Sequence, residues 1–208
     1  DDVVQGFDHA DRGKAIMACG TGKTLVGLWS AEALDSQRTL VLVPSLSLIE
    51  QISREWLENS STSFRSLFIC SDETAASDAF VGQTEELGVL VTTAPEDIRD
   101  FLVGDGRRVV FATYQSSPRI TEAQAAGAPG FDLTIADEAH HCVGKMESYF
   151  KTVIDGERLR SDKRLFMTAT PRIVTKRIKD EAGELDLHVA SMDDEADFGP
   201  DFHVLTFG

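Results

Sequence analysis

Cysteine is scarce in this chain of 208 residues, which contains three. Cys19, Cys70 and Cys142 stand far apart, and no two of them form a Cys-x-x-Cys pair. Disulfide frameworks use even sets of cysteines at recurring spacings, and structural zinc sites use closely spaced pairs of ligands. The sequence therefore indicates neither kind of site, and its use of cysteine fits a reducing, cytoplasmic compartment.

Long apolar runs are also absent from the sequence. No stretch approaches the ~18 consecutive apolar residues of a membrane-spanning helix, so we expect no membrane partner. We see no signal-peptide pattern before the first motif, and the chain begins with Asp1 rather than Met, so we expect a fragment of a longer protein. A hydrophobic fraction of 42% still allows a sizeable core for one large domain.

Positive charge is in short supply, with 20 Lys and Arg against 35 Asp and Glu and a net charge of −15. Such a chain does not bind nucleic acid by bulk electrostatics, although backbone N–H groups and hydroxyls can make local contacts. Residues 180–201 hold nine acidic side chains and no Lys or Arg. The simplest interpretation of that run is a solvated surface or a linker.

The clearest motif is Gly-Thr-Gly-Lys-Thr at 20–24, which follows an apolar run at 15–18 and precedes a stretch of helical character. Strand, Gly-rich turn and helix are the context that a phosphate-binding loop requires. Glycines let backbone N–H groups surround phosphate oxygens, and the helix N-terminus adds a partial positive charge. Lys23 would reach the β- and γ-phosphates, and Thr24 would hold Mg²⁺. The usual pattern begins with Gly or Ala, whereas this chain has Met17. The predicted ATP-binding residues are Cys19, Gly20, Thr21, Gly22, Lys23 and Thr24.

Short apolar runs alternate with stretches of helical spacing along the rest of the chain. The strand candidates after the loop are residues 39–43, 66–70, 89–92, 108–112, 133–136 and 165–167. The helix candidates are residues 25–34, 45–58 with a capping-box pattern at 47–50, 93–102, and a segment from 117 to the turn at 127–130. Residues 72–86 indicate a loop with some helix.

The strand candidates are continuously apolar rather than alternating, which is typical of parallel strands buried on both faces. Strands that alternate with helices form right-handed βαβ units. The sequence therefore predicts an α/β fold with a doubly wound, mainly parallel sheet flanked by helices. Ligands of such sheets bind at the carboxyl ends of the strands, where the motifs of this chain all fall.

Two adjacent carboxylates, Asp137 and Glu138, follow the strand candidate at 133–136. Asp137 would hold Mg²⁺, directly or through water, and Glu138 would orient and deprotonate the attacking water. A solvent-exposed acidic turn is the alternative, but it does not explain why an apolar strand stops there in a chain with a phosphate loop. Thr168 and Thr170 end the next strand, about thirty residues later. Their hydroxyls can bond to neighbouring polar groups and shift with them.

With these motifs in this order, the chain resembles the first RecA-like motor domain, a P-loop NTPase fold, of superfamily 2 helicases and translocases. The similar segments are 20–24 for motif I, 43–51 for motif Ia, 111–116 for motif Ib, 137–140 for the DEAH form of motif II, and 168–170 for motif III. The forms at 17–24, 137–140 and 163–172 are closest to the motor parts of type I, type III and single-polypeptide type ISP restriction enzymes. The Met-first loop of that subgroup also accounts for Met17.

The resemblance implies roles for further residues. His140, with Thr168 and Thr170, would couple the nucleotide site to motif III, whereas His141 is interpreted as an ordinary loop histidine. The positions that match nucleic-acid contacts are Pro44, Ser45, Ser47, Thr113 and Tyr114. The two serines also suit helix caps, which is compatible with such a contact.

Two of these residues have competing interpretations. Tyr114 could stack on a base, but a packed aromatic ring at a strand end is favoured. Cys19 sits beside a helix N-terminus, which could make its thiol more reactive, but a small packing residue is favoured.

The resemblance also predicts domain organisation. Residues 1–180 would form RecA-like ATP-binding domain 1, truncated at its N-terminus because the family's adenine-reading glutamine lies upstream and Gln5 is too close to the loop. Residues 181–208 would be an acidic segment that leads into a second RecA-like domain, which would carry an arginine finger.

The implied function is an ATP- and Mg²⁺-dependent helicase or translocase acting on nucleic acid, with duplex DNA favoured, within a restriction or DNA-processing enzyme. The chain alone would be inactive or very weak. One alternative is another P-loop NTPase such as a kinase or GTPase, which the order of the motifs disfavours. The other is a catalytically silent nucleic-acid-binding module, which intact Lys23, Asp137 and Glu138 disfavour.

Overall fold

The computed structural model describes residues 2–70, 90–145, 148–175, 177 and 189–206. The segment 72–86, for which the sequence predicts a loop with some helix, lies outside these residues. None of the described helices is long and apolar enough to cross a membrane.

Eight strands form one fully parallel sheet within the described residues. These strands are β1 (Arg12–Met17), β2 (Arg38–Val43), β3 (Arg65–Ile69), β4 (Leu90–Thr92), β5 (Arg108–Thr113), β6 (Phe131–Ala136), β8 (Ser161–Thr168) and β10 (Asp201–Leu205). Two short strands, β7 (Gly144–Lys145) and β9 (Val189–Ala190), form a separate antiparallel ribbon. The order in the main sheet is β10-β1-β8-β6-β2-β5-β3-β4.

Seven α-helices are described in addition to two single 3₁₀ turns, Tyr114–Ser116 and Ala139–Cys142. The helices are α1 (Asp2–Gly6), α2 (Lys23–Ala33), α3 (Leu46–Asn59), α4 (Pro95–Val103), α5 (Ser117–Ala125), α6 (Ser148–Ile154) and α7 (Glu195–Phe198). Helices α1, α2 and α3 cover one face of the sheet, where Leu28 and Trp56 are buried. Helices α4 to α7 cover the other face, where Ile98 and Ile120 are buried. The predicted doubly wound α/β architecture is confirmed.

Strand β2 shows why the strand sequences are continuously apolar. Leu40 and Leu42 pack into the core under α4 to α7. Val41 and Val43, which alternate with them, pack into the core under α1 to α3. Because successive side chains of a strand point to opposite faces, a strand covered on both sides needs apolar residues at every position.

The start of α3 differs from the sequence prediction. Ser45 occupies the N-cap position with extended backbone, and its side chain makes no capping hydrogen bond. The hydroxyl oxygens of Ser45 and Ser47 instead lie 3.2 Å apart. The predicted capping box at 47–50 is therefore wrong, because the helix begins at Leu46.

The sheet continues beyond the predicted domain boundary at residue 180. Strand β10 begins at Asp201, where the acidic run ends, and pairs with β1. The ring of Phe202 in β10 packs edge-on against Phe7, with 4.9 Å between ring centroids. A Cβ on Gly13 of β1 would lie 2.4 Å from the Phe202 ring, so this close approach needs glycine. The acidic residues thus flank a strand of the domain, and that the chain goes on into a second domain stays a prediction.

Candidate functional site

The loop between β1 and α2 has the backbone of a tight turn. Gly20 and Gly22 have φ angles of 78° and 86°, which L-residues rarely adopt. A Cβ at either glycine would meet no atom of the described residues within 4 Å, so these residues leave the space above the loop open. The N–H and hydroxyl groups of Thr21 both donate to the Ala18 carbonyl, at 3.3 Å and 2.7 Å, which closes the turn. Strand, loop and helix therefore follow one another as a phosphate-binding loop requires.

A cleft of about 310 Å³ lies over this loop. Its walls are the loop, the face of α3 that carries Gln51 and Glu55, and the Asp137–Glu138 pair. A larger hollow of about 470 Å³ lies along α1 and α2. We assign the site to the smaller cleft, because it brings together a phosphate loop, a lysine and two carboxylates. Gln51 and Glu55 were not predicted as site residues, although their spacing of four places them on one face of the helix.

Lys23 and Glu138 meet across the cleft. The Lys23 Nζ atom lies 3.2 Å from Glu138 Oε1. Residues from the loop after β1 and from the end of β6 thus converge, although 115 positions separate them. Glu138 has a φ of 50°, a left-handed conformation that costs a non-glycine residue energy and that is concentrated at functional sites.

Asp137 has a buried carboxylate group at the end of β6. Its backbone N–H donates to the Leu42 carbonyl at 2.9 Å. Its Oδ1 atom is buried, and no described residue forms a hydrogen bond with it. Burial, and to a smaller extent the charge of Glu138, raises the pKa of Asp137 to about 6, while Lys23 opposes the rise. A hard dication such as Mg²⁺ prefers carboxylate oxygens and would satisfy this atom, so the residues fit the predicted metal. Thr24 lines the same cleft and would be the second protein ligand.

Replacing Asp137 with Asn is expected to stabilise the fold above about pH 6. Because the pKa of Asp137 is raised from 3.8 to about 6, its contribution to stability is present in acid and is lost as the pH rises through the folded-state pKa. The amide stays neutral, so Asp137→Asn should not lose the unfolding free energy, on the order of 2–3 kcal/mol, that the wild-type chain loses when Asp137 ionises. Urea unfolding of both chains from about pH 4 to about pH 7 measures the effect. A difference in unfolding free energy that does not change with pH would contradict it.

His140 connects the carboxylate pair with the end of β8. Its Nδ1 atom lies 3.3 Å from Glu138 Oε2 and 3.0 Å from Thr168 Oγ1. The Thr170 N–H donates to Thr168 Oγ1 at 3.2 Å. Burial, and then the neighbouring His141, lowers the pKa of His140, which favours the neutral imidazole. His140, Thr168 and Thr170, the three residues predicted to couple the site to motif III, therefore form a chain of polar contacts that starts at Glu138. The ring of the exposed His141 lies against that of His140.

The predicted nucleic-acid contacts fall into two groups. Pro44, Ser45 and Ser47 lie at the carboxyl end of β2, where Ser47 is exposed and the other two are half-buried. Thr113 is buried, and its hydroxyl oxygen lies 2.9 Å from that of Ser116. Two hydroxyl groups, those of Ser45 and Ser47, thus remain in reach of a ligand at this edge.

The structure corrects the sequence predictions for Tyr114 and Cys19. The Tyr114 side chain is fully buried, so base stacking is wrong and the favoured packed ring is what the structure has. Its hydroxyl donates to the Asp137 carbonyl at 2.7 Å, a bond that no sequence motif signals. Cys19 is exposed in the loop rather than packed, because the turn at Gly20 carries it away from the core.

A phosphate loop opposite an Asp-Glu pair, at the carboxyl edge of a doubly wound parallel sheet, defines a P-loop NTPase domain of the RecA-like class. The model of one family, described as type III restriction enzyme, res subunit, matches residues 1–173 of the chain. The chain belongs to this family.

Individual relatives agree with this assignment. The probable helicase A859L of African swine fever virus is 32% identical over 174 residues, which are 82% of this chain and 18% of the relative. The type ISP restriction-modification enzyme LlaGI, solved with a DNA substrate mimic, is 34% identical with a TM-score of 0.75 over 99% of this chain and 19% of that one. The type ISP enzyme LlaBIII, solved bound to DNA, is 31% identical with a TM-score of 0.76 over 98% of this chain and 14% of that one.

By family and fold, the chain is thus a first RecA-like domain of the superfamily 2, restriction-enzyme type. It spans less than a fifth of the length of each relative named above.

Proposed function

We propose that the chain binds ATP with Mg²⁺ and supplies the hydrolytic residues of a motor that moves along duplex DNA. The observation that carries the proposal is the 3.2 Å approach of Lys23 Nζ to Glu138 Oε1, beside the buried, unpartnered Oδ1 of Asp137. A lysine, a general base and a metal ligand at one phosphate loop are the parts that phosphoryl transfer to water requires.

Each residue has one chemical task. The backbone N–H groups of the loop and the Lys23 ammonium bind phosphate oxygens by charge-assisted hydrogen bonds. Glu138 accepts the proton of the attacking water, and its contacts with Lys23 and His140 hold its carboxylate in one orientation. Thr24 and Asp137 would hold Mg²⁺, which neutralises charge on the phosphates when it is bound.

The DNA side of the proposal rests on Ser45 and Ser47. Their hydroxyls lie at the start of α3, where the helix N-terminus favours phosphate. Contacts of this kind read the DNA backbone rather than the bases, which suits a motor that passes over any sequence. Two relatives, LlaGI and LlaBIII, were solved with a DNA mimic and with DNA, which supports DNA as the polymer. We further propose that a second RecA-like domain of the full-length protein closes the cleft and that the protein works in the cytoplasm.

Replacing Lys23 with Ala is expected to weaken the binding of Mg²⁺–ATP by the chain roughly 10- to 150-fold. A hydrogen bond to a charged group contributes about 1.5–3 kcal/mol, and the Lys23 side chain is placed to make one with the nucleotide. Titration calorimetry of the wild-type chain and of Lys23→Ala measures the difference.

Arg119→Ala is the matched control for that titration. It also removes one positive charge, but Arg119 lies exposed on α5, paired with Glu122 and away from the cleft. Its affinity for ATP should equal that of the wild type. Equal affinities for all three chains would reject the assignment of the nucleotide site.

A further inference from the structure

We propose that Tyr114 is a positioning residue, whose buried hydroxyl holds the peptide between Asp137 and Glu138 and thereby couples the segment after β5 to the hydrolytic pair. The inference rests on the proposed function, because it gives Tyr114 a part in the hydrolysis carried out by Glu138.

The contact is a well-formed hydrogen bond in the core, where the Cys142 side chain is a second hydrogen-bond partner of the phenol. The Tyr114 hydroxyl donates to the Asp137 carbonyl at 2.7 Å, between residues 23 positions apart. The pairing of β6 with β8 has ended by this point, since its last partners are Ala136 and Phe166. The phenol thus supplies a partner for the first carbonyl beyond the ladder. A buried carbonyl without a partner is costly, so the bond has a structural reason as well as a position in the site.

The position of the Asp137 carbonyl constrains the backbone conformation of Glu138. The carbonyl of Asp137 and the N–H of Glu138 belong to one rigid peptide plane, so fixing the oxygen fixes the bond about which φ of Glu138 turns. That φ is 50°, with a ψ of 46°, in the left-handed region that non-glycine residues avoid. A strained conformation persists only where its surroundings hold it, and the phenol is one side chain that bonds to the preceding peptide, at its carbonyl oxygen.

The same bond connects the segment after β5 with the site. Tyr114 opens the 3₁₀ turn Tyr114–Ser116, which the 2.9 Å approach of the Ser116 and Thr113 hydroxyl oxygens ties to the end of β5. Any shift of this turn moves the phenol, and with it the peptide that precedes Glu138. Burial also raises the pKa of Tyr114 well above its usual value, so the hydroxyl stays a donor across the working pH range.

The test is Tyr114→Phe, which keeps the packed ring and removes the hydroxyl. In the full-length protein we expect Mg²⁺–ATP affinity and KM to stay within about twofold, and kcat of DNA-stimulated hydrolysis to fall about 10-fold or more. In the 208-residue chain without nucleotide, hydrogen–deuterium exchange of residues 138–142 should speed up about 10-fold, because the strained turn is released.

Thr134→Val is the matched control. Thr134 lies on β6 three residues before Asp137, and its hydroxyl donates to Ser161 Oγ at 2.9 Å in a partly buried bond that the variant lacks. We expect it to lower stability and to leave kcat and the exchange of residues 138–142 unchanged. The proposal is overturned if Tyr114→Phe leaves that exchange unchanged, or if its kcat equals that of Thr134→Val. A wild-type protein that hydrolyses no ATP would contradict the proposed function instead, and the exchange comparison would still decide the role of Tyr114.

Discussion

Replacing Glu138 with Gln in the full-length protein is expected to preserve ATP binding and to slow ATP hydrolysis by roughly 10²–10⁴-fold. The amide has the size of the carboxylate but cannot take the proton of the attacking water. The proposed phosphate contacts come from the loop and from Lys23, which both line the cleft, so they should remain in the variant. Steady-state hydrolysis and titration calorimetry on the same preparation separate the two effects.

Glu122→Gln is the control for this measurement, since it makes the same chemical change on the exposed face of α5. It should leave both binding and turnover as they are in the wild type. If Glu138→Gln hydrolyses ATP within a few-fold of the wild type, then Glu138 is not the general base. If Glu138→Gln loses ATP binding as well, the Glu138 carboxylate maintains the structure of the cleft and does not act only in the hydrolysis step.

The 208-residue chain alone is expected to bind ATP weakly and to show no DNA-stimulated hydrolysis. Among the described residues that line the cleft, Lys23 is the only cation. The family resemblance assigns an arginine finger to the second RecA-like domain, and such a residue accelerates hydrolysis on the order of 10³–10⁵-fold. In the two-domain motor, DNA would bind in a cleft between the two domains. The isolated chain provides only one side of that cleft.

A steady-state ATPase assay on the purified chain, with and without duplex DNA, checks this expectation. The net charge of −15 should also keep the affinity of the chain for DNA low at physiological salt. Robust turnover that DNA stimulates, and that Glu138→Gln abolishes, would show that one domain suffices. The Glu138→Gln arm excludes a contaminating ATPase as the source of the activity.

The parallel sheet could be predicted because its strands are buried on both faces. The runs at 39–43 and 133–136 are largely apolar without a break, whereas a strand with one solvated face would alternate apolar and polar residues. The order of the strands could not be predicted, since it depends on which helices pack together. Strand β10 was missed because an acidic run precedes it and its apolar character rests on Phe202, Val204 and Leu205.

The site could be predicted where function imposes a local sequence. Gly20 and Gly22 are needed for backbone angles, and adjacent carboxylates at a strand end have few structural uses. Contacts between distant segments leave no such local signal. The bond from Tyr114 to Asp137, the left-handed turn at Glu138 and the exposure of Cys19 depend on how separate strand ends meet. For these features the structure was necessary.

The most direct test of whether this domain belongs to a DNA-driven ATPase motor is the rate of ATP hydrolysis by the full-length protein with and without duplex DNA. We predict Mg²⁺-dependent hydrolysis that duplex DNA stimulates several-fold or more and that Glu138→Gln abolishes. A folded full-length protein that binds duplex DNA but hydrolyses ATP at the same rate with and without it, or not at all, would contradict this assignment.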